Sequence, residues 1–217
     1  IDIPLAKIAA QVSAGVKIKD LKLKYDSSKG LIAIKKPVFP FNKFPNQSLF
    51  LSPEMKSTGE VIGFDNNLGS AYAKATLGAN NILPIQGTVF MSVNESDKMT
   101  IIPIARDFQE FGFDIIATSG TAKVLMDNGV KCKEIYKVGE GRPNVVDEIK
   151  NNAIALIINT PLGKQSRYDE YEIGRAAIKY KVTAITTIEG AQAVVRAVRN
   201  VKFGKLNYQS LQDIFNN

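Results

Sequence analysis

Histidine and tryptophan are absent from all 217 residues, and cysteine occurs once, as Cys132. Without histidine the chain has no side chain that titrates near neutrality on its own, so the commonest general base and the commonest metal ligand are both missing. A single cysteine and no histidine exclude a zinc site. One cysteine also excludes an internal disulfide framework, which fits a reducing, cytoplasmic compartment. No apolar run reaches the roughly 20 residues needed to cross a bilayer, and no signal peptide is visible, so no membrane partner is expected. The chain begins at Ile1 and enters a helical pattern at once, as a piece of a longer protein would.

What remains is a globular composition: 45% hydrophobic, 23% charged, near-zero mean hydropathy. The net charge of +7 is uneven. Residues 1–63 hold ten lysines against five acids, and residues 64–217 hold eighteen bases against sixteen acids. The lysines are scattered and no nucleic-acid motif accompanies them, so a solvated or protein-docking face is expected rather than nucleic acid.

The order of patterns is irregular first and regular afterwards. Residues 4–14 read as a helix with Pro4 in its first turn and Gly15 as its stop. Leu31-Ile32-Ala33-Ile34 reads as a short strand. Residues 37–45 crowd three prolines and three phenylalanines together, which predicts extended, irregular backbone. Residues 67–77 form a helix of small residues. Beyond residue 80 strands and helices alternate: strands at 88–93, 113–117, 132–138, 153–158 and 183–186, and helices at 97–111, 119–128, 144–150, 169–180 and 189–199. A weak last helix lies around 208–215. Pro103 should kink the first of these regular helices or delay its start. Such alternation predicts an α/β, doubly wound parallel sheet with helices on both faces. Ala153 to Ile158, the most apolar strand, should lie inside it.

Chemistry concentrates at Thr118-Ser119-Gly120-Thr121, where an apolar strand turns into an amphipathic helix. The first amides of a helix lack intrahelical partners and carry a partial positive charge, so an anion is bound well there. Gly120 lets backbone approach, and Thr118 and Thr121 offer hydroxyls; alternatively Thr118 or Ser119 simply caps the helix. Ligands of doubly wound sheets sit beyond the carboxyl ends of the strands. Lys137, Asn159 and Thr160 lie at such ends, with Ser92 and Lys98 flanking the first. Lys137 read alone is a solvated lysine; read together, these residues form a phosphate pocket. Two or three charged hydrogen bonds of about 1.5–3 kcal/mol each would hold a phosphorylated metabolite in the micromolar range. Glu140, Asp147 and Asp169 are surface-type acids, so binding is expected rather than turnover, and no catalytic residue is assigned.

Pro4-Leu5-Ala6-Lys7-Ile8-Ala9-Ala10, Phe39-Pro40-Phe41-Asn42-Lys43-Phe44-Pro45 and Pro53-Glu54-Met55-Lys56-Ser57-Thr58-Gly59-Glu60-Val61 closely resemble the carboxyl-terminal part of the carbamoyl-phosphate synthetase large subunit. The resemblance implies that residues 1–80 are an α+β remnant, the end of the second ATP-grasp domain. It implies that residues 81–217 are a methylglyoxal-synthase-like allosteric domain. It also implies membership in an ATP-dependent ligase that joins bicarbonate, ATP and glutamine-derived ammonia. The effector, a nucleotide such as UMP or IMP, would then meet Lys98, Thr118, Gly120, Thr121, Lys137, Asn159 and Thr160. The implied protein partners are the rest of the large chain, the glutaminase small chain and further copies of itself. ATP and Mg or Mn would bind upstream of Ile1, leaving this segment without cofactor or metal.

Some positions depart from the family pattern. Lys36 and Ala184-Ile185 stand where an ornithine pocket carries carboxylates, so ornithine is not expected to regulate this chain. Pro161 stands where a threonine is common. Two relatives in fold are disfavoured by missing motifs. Methylglyoxal synthase would need a Gly-Asp motif and a histidine, and the purine enzyme that closes IMP would need a Lys-Thr-Leu-His-Pro run. A segment that only mediates subunit association is a further alternative.

Overall fold

The computed structural model describes residues 3–23, 30–41, 55–160 and 167–216. It divides into two compact units, Ile1–Leu31 with Asn207–Asn217, and Ile32–Leu206. In the first, helix α1 spans Leu5–Ser13 and a 3-10 turn spans Ile18–Leu21, while α8 covers Leu211–Asn216. The apolar stripe of α1 buries no residue, and Leu5 is 63% exposed.

The second unit opens with an antiparallel pair, β1 (Ile32–Val38) and β2 (Gly59–Asp65), covered by α2 (Leu68–Gly78). Strand β1 runs four residues further than the sequence pattern predicts, through Pro37 opposite Glu60. An edge strand tolerates proline because its missing N–H costs no ladder bond. The rest of the Pro/Phe-rich run, residues 42–45, lies outside the described residues, as do residues 46–54 after it.

Five strands then form a wholly parallel sheet, in the order β5-β4-β3-β6-β7. They are β3 (Thr88–Val93), β4 (Asp114–Thr118), β5 (Lys133–Ile135), β6 (Ile154–Thr160) and β7 (Thr183–Ile185). The helices between and after them are α3 (Lys98–Glu110), α4 (Ser119–Asp127), α5 (Val145–Lys150), α6 (Arg167–Lys179) and α7 (Ile188–Phe203). Strand side chains alternate between faces, so one face packs Val89, Met91, Ile115 and Ile158 with Ile101, Phe108, Leu125 and Val194. The other packs Phe90, Ile116 and Ile157 with Val145, Ile149 and Ile173. This is the doubly wound sheet that the alternation predicts, and β6 is paired on both sides.

Two local expectations are corrected. Pro103 does not delay the start of α3: the helix begins at Lys98 after a 3-10 turn, Glu95–Asp97, and carries the proline inside. Packing of Ile101, Ile102, Ile104 and Phe108 into the core outweighs one missing hydrogen bond. Strand β5 is three residues rather than seven, because it is an edge strand paired with β4 alone. Lys137 therefore lies in the loop beyond it.

Helix α5, only six residues long, depends on its cap. The Asn144 side chain accepts from the Val146 and Asp147 amides, and the Asp147 carboxylate accepts from the Asn144 amide. Asn144→Ala is expected to cost about 1–2 kcal/mol, read as a lower thermal midpoint. An unchanged midpoint would show that tertiary packing alone holds α5.

Candidate functional site at the carboxyl edge of the sheet

Strands β3 and β6 are neighbours, yet α3 leads from β3 to β4 on one side and α6 leads from β6 to β7 on the other. That reversal opens a crevice at their carboxyl ends. Three strand ends are tied together there by side-chain hydroxyls. Ser92 Oγ and Thr118 Oγ1 share a 3.0 Å hydrogen bond. The Val93 amide donates to Thr121 Oγ1 at 3.1 Å. The Asn94 amide and carboxamide donate to Thr160, both to its Oγ1 and to its carbonyl.

Thr121 and Thr160 are 2% and 3% exposed, so they brace the strand ends and hold α4 against β3. Thr118, Ser92 and Asn159 form a row across three strands, each two residues beyond Ile116, Phe90 and Ile157 and on the same face of the sheet. Asn159, at the β6 end of that row, is buried, at 8% exposure.

Helix α4 begins at this row, and its amino end, like that of α3, has no side-chain cap. Helices α2, α5 and α7 are closed by the side chains of Asn67, Asn144 and Thr187. The Thr118 position makes no side-chain cap bond, and the first turn of α4 holds no acid. Lys98 reaches over it: a Cβ on Gly120 would lie 3.5 Å from the Lys98 ammonium. That ammonium is paired with Glu95, whose side chain is 86% exposed, whereas the Lys98 side chain is 18% exposed. Uncapped amides, a cation beside them and a buried carboxamide make an electropositive recess suited to a tetrahedral oxyanion.

The structure thus brings together Lys98, Thr118, Gly120, Thr121, Asn159 and Thr160. Lys137 stands apart on the β5–α5 loop, 3.7 Å from Glu140. Asp169, in the first turn of α6, has its carboxyl pushed up by burial; the nearby Lys137 pulls it down and Glu140 raises it further. Between that loop, α5 and α6 lies an open cleft of about 420 Å³ lined by Val138, Gly141, Arg142, Asp147, Lys150 and Tyr168. Pro161 lies outside the described residues. Ser92, Asn94 and Glu95 complete the constellation. Asn94 is visible in sequence as an Asx cap followed by Asp97 three residues on, and Glu95 as an i,i+3 partner of Lys98.

Away from this edge, Lys36 Nζ donates to Thr76 Oγ1 at 3.3 Å and lies 5.4 Å from the centre of the Tyr72 ring, and burial lowers its pKa. Ala184 and Ile185 lie on β7. Burial, with Glu134 nearby, pushes the Cys132 thiol up to about 11, so it is not a thiolate at neutral pH. Among the described residues there is no metal-holding cluster of three acids, cysteines or histidines, and no helix long and apolar enough to cross a membrane.

The sheet and its crevice define the class of module: residues 100–186 match the family model of the MGS-like domain. Over 97% of its length the chain is 44% identical to the carbamoyl phosphate synthase large chain of Nostoc and 49% identical to that of Archaeoglobus fulgidus, covering 19% and 20% of those proteins. It is 46% identical, over 99% of its length, to the carbamoyl phosphate synthase large chain, C-terminal section, of Methanopyrus kandleri, of which it covers 41%. The chain belongs with the carbamoyl phosphate synthase large chains, as a relative of their carboxyl-terminal section. It spans about one fifth of the length of the large chains it matches.

Proposed function

We propose that this segment is the effector-binding part of an ATP-dependent carbamoyl phosphate synthase, and that its ligand is a nucleoside monophosphate such as UMP or IMP. The observation that carries the reading is the uncapped first turn of α4 with the Lys98 ammonium over Gly120. The phosphate takes the α4 amides, Lys98 and the outward-facing proton of the Ser92–Thr118 hydroxyl pair, while Asn159 supplies a carboxamide. The nucleoside extends toward Lys137 and the cleft behind it. Thr121 and Thr160 act as braces behind the ligand. Lys36 at the hairpin, with Ala184 and Ile185 on β7, makes a cationic regulator such as ornithine a poor fit.

Carbamoyl phosphate formation, with its ATP and divalent metal, belongs to the longer cytoplasmic enzyme, together with the rest of the large chain and a glutaminase chain. The segment itself binds and does not turn over. Calorimetric titration of UMP and of IMP into the chain is expected to give saturable heat, and the thermal midpoint is expected to rise with ligand concentration. No heat and no shift at millimolar nucleotide would overturn the proposal.

A further inference from the structure

The ion pair at the mouth of the site is asymmetric. The Lys98 side chain is mostly enclosed, with its ammonium held over Gly120, and Glu95 projects into solvent from the 3-10 turn. The turn itself is fixed. Asn94 Oδ1 accepts from the Asp97 amide, and the Asn94 carboxamide donates to Asp97 and to Thr160. The Glu95 carboxylate can therefore swing away by side-chain rotation alone, with no change in the backbone that positions Lys98. A second anion entering the α4 turn needs the same ammonium. Two anions on one lysine repel each other at such distances.

We propose that Glu95 is the resident counter-ion of Lys98, displaced when a phosphate enters, and that it sets the affinity of the site and its preference for strongly charged anions. Resting on the phosphate-site reading above, it adds the residue that resists weak or singly charged anions. Lys98 is kept paired while the site is empty. A phosphate monoester, carrying close to two charges at neutral pH, displaces the carboxylate, whereas a monoanion gains too little to do so.

The test is calorimetric titration of UMP at low salt into the whole chain as wild type, Glu95→Gln, Lys98→Met and the double variant. Glu95→Gln is expected to tighten UMP about two- to fivefold, the range that an exposed ion pair supports. In the Lys98→Met background the same change is expected to give no gain. Unchanged or weaker binding in Glu95→Gln overturns the proposal. An equal gain in both backgrounds also overturns it, because Glu95 would then act only by general repulsion. Failure of the wild type to bind UMP would instead remove the phosphate site itself, and the two failures are told apart by that first titration. Glu95→Ala, which keeps the turn and removes the carboxylate, is expected to rank with Glu95→Gln.

Discussion

A Lys98→Met chain is expected to bind UMP about ten- to a hundredfold more weakly than wild type while melting at nearly the same temperature. A hydrogen bond between charged partners contributes about 1.5–3 kcal/mol, and each 1.4 kcal/mol is tenfold in affinity. The cost to folding is small because the only ion pair lost among the described residues is with Glu95, which is solvated. Exposed pairs contribute about 0–1 kcal/mol. Methionine keeps the length and apolar stem of the lysine, so its packing above Gly120 is retained. Calorimetry and a melting curve on one sample separate the two effects. A large fall in the thermal midpoint with affinity intact would make Lys98 a structural residue.

The second large effect lies in the hairpin. A Cβ built on Gly63 would meet the Ala71 carbonyl oxygen at 2.2 Å and the Ala75 amide nitrogen at 2.6 Å. Both are backbone atoms of α2 and neither can turn aside. Gly63→Val is expected to destabilise the chain by about 3 kcal/mol or more, since overpacking against backbone exceeds the usual range. That corresponds to a fall of roughly 6–12 °C in the thermal midpoint for a chain of this size. Gly59→Ala on the same strand, where a Cβ meets nothing within 4 Å, is the control and is expected to stay within about 0.5 kcal/mol. Equal midpoints for Gly63→Val and Gly59→Ala would mean that α2 is not seated on β2 as described.

The parallel sheet is legible in the sequence because its helices and strands obey two different periods, and because Gly112 and Gly129, at φ +82° and +78°, punctuate them. The hairpin is less so. Strand β1 carries Lys35, Lys36 and Pro37, residues that argue against a strand by propensity, and pairing with β2 overrides them. Pro103 fails to delay α3 for the same reason: an apolar face buried on the sheet outweighs one local rule.

At the site, the Thr118–Thr121 turn and Lys98 follow from local pattern and topology. What pattern does not supply is the division of labour among hydroxyls. Thr118 and Thr121 differ only in where the backbone points them, yet Thr121 ends on the Val93 amide and Thr118 on Ser92. Nor does spacing reveal that Lys98 has a tenant. That depends on a 3-10 turn whose geometry is fixed by Asn94 bonding across to Thr160, 66 residues away in sequence.

The seam between α2 and α7 bears on how such a segment is handled as a piece of engineering. A Cβ on Gly69 would collide with the Arg196 carbonyl at 2.6 Å, and the Asn200 carboxamide bridges Asn67 and Ser70. Ala71, Ala73 and Ala75 are 0–1% exposed. A gene cut at residue 80 would leave α2 on one side and the helix it is fitted against on the other. The hairpin, α2 and α7 would travel best as one cassette in any chimera or transplanted sensor, with the exchange point placed at Ile32 or earlier.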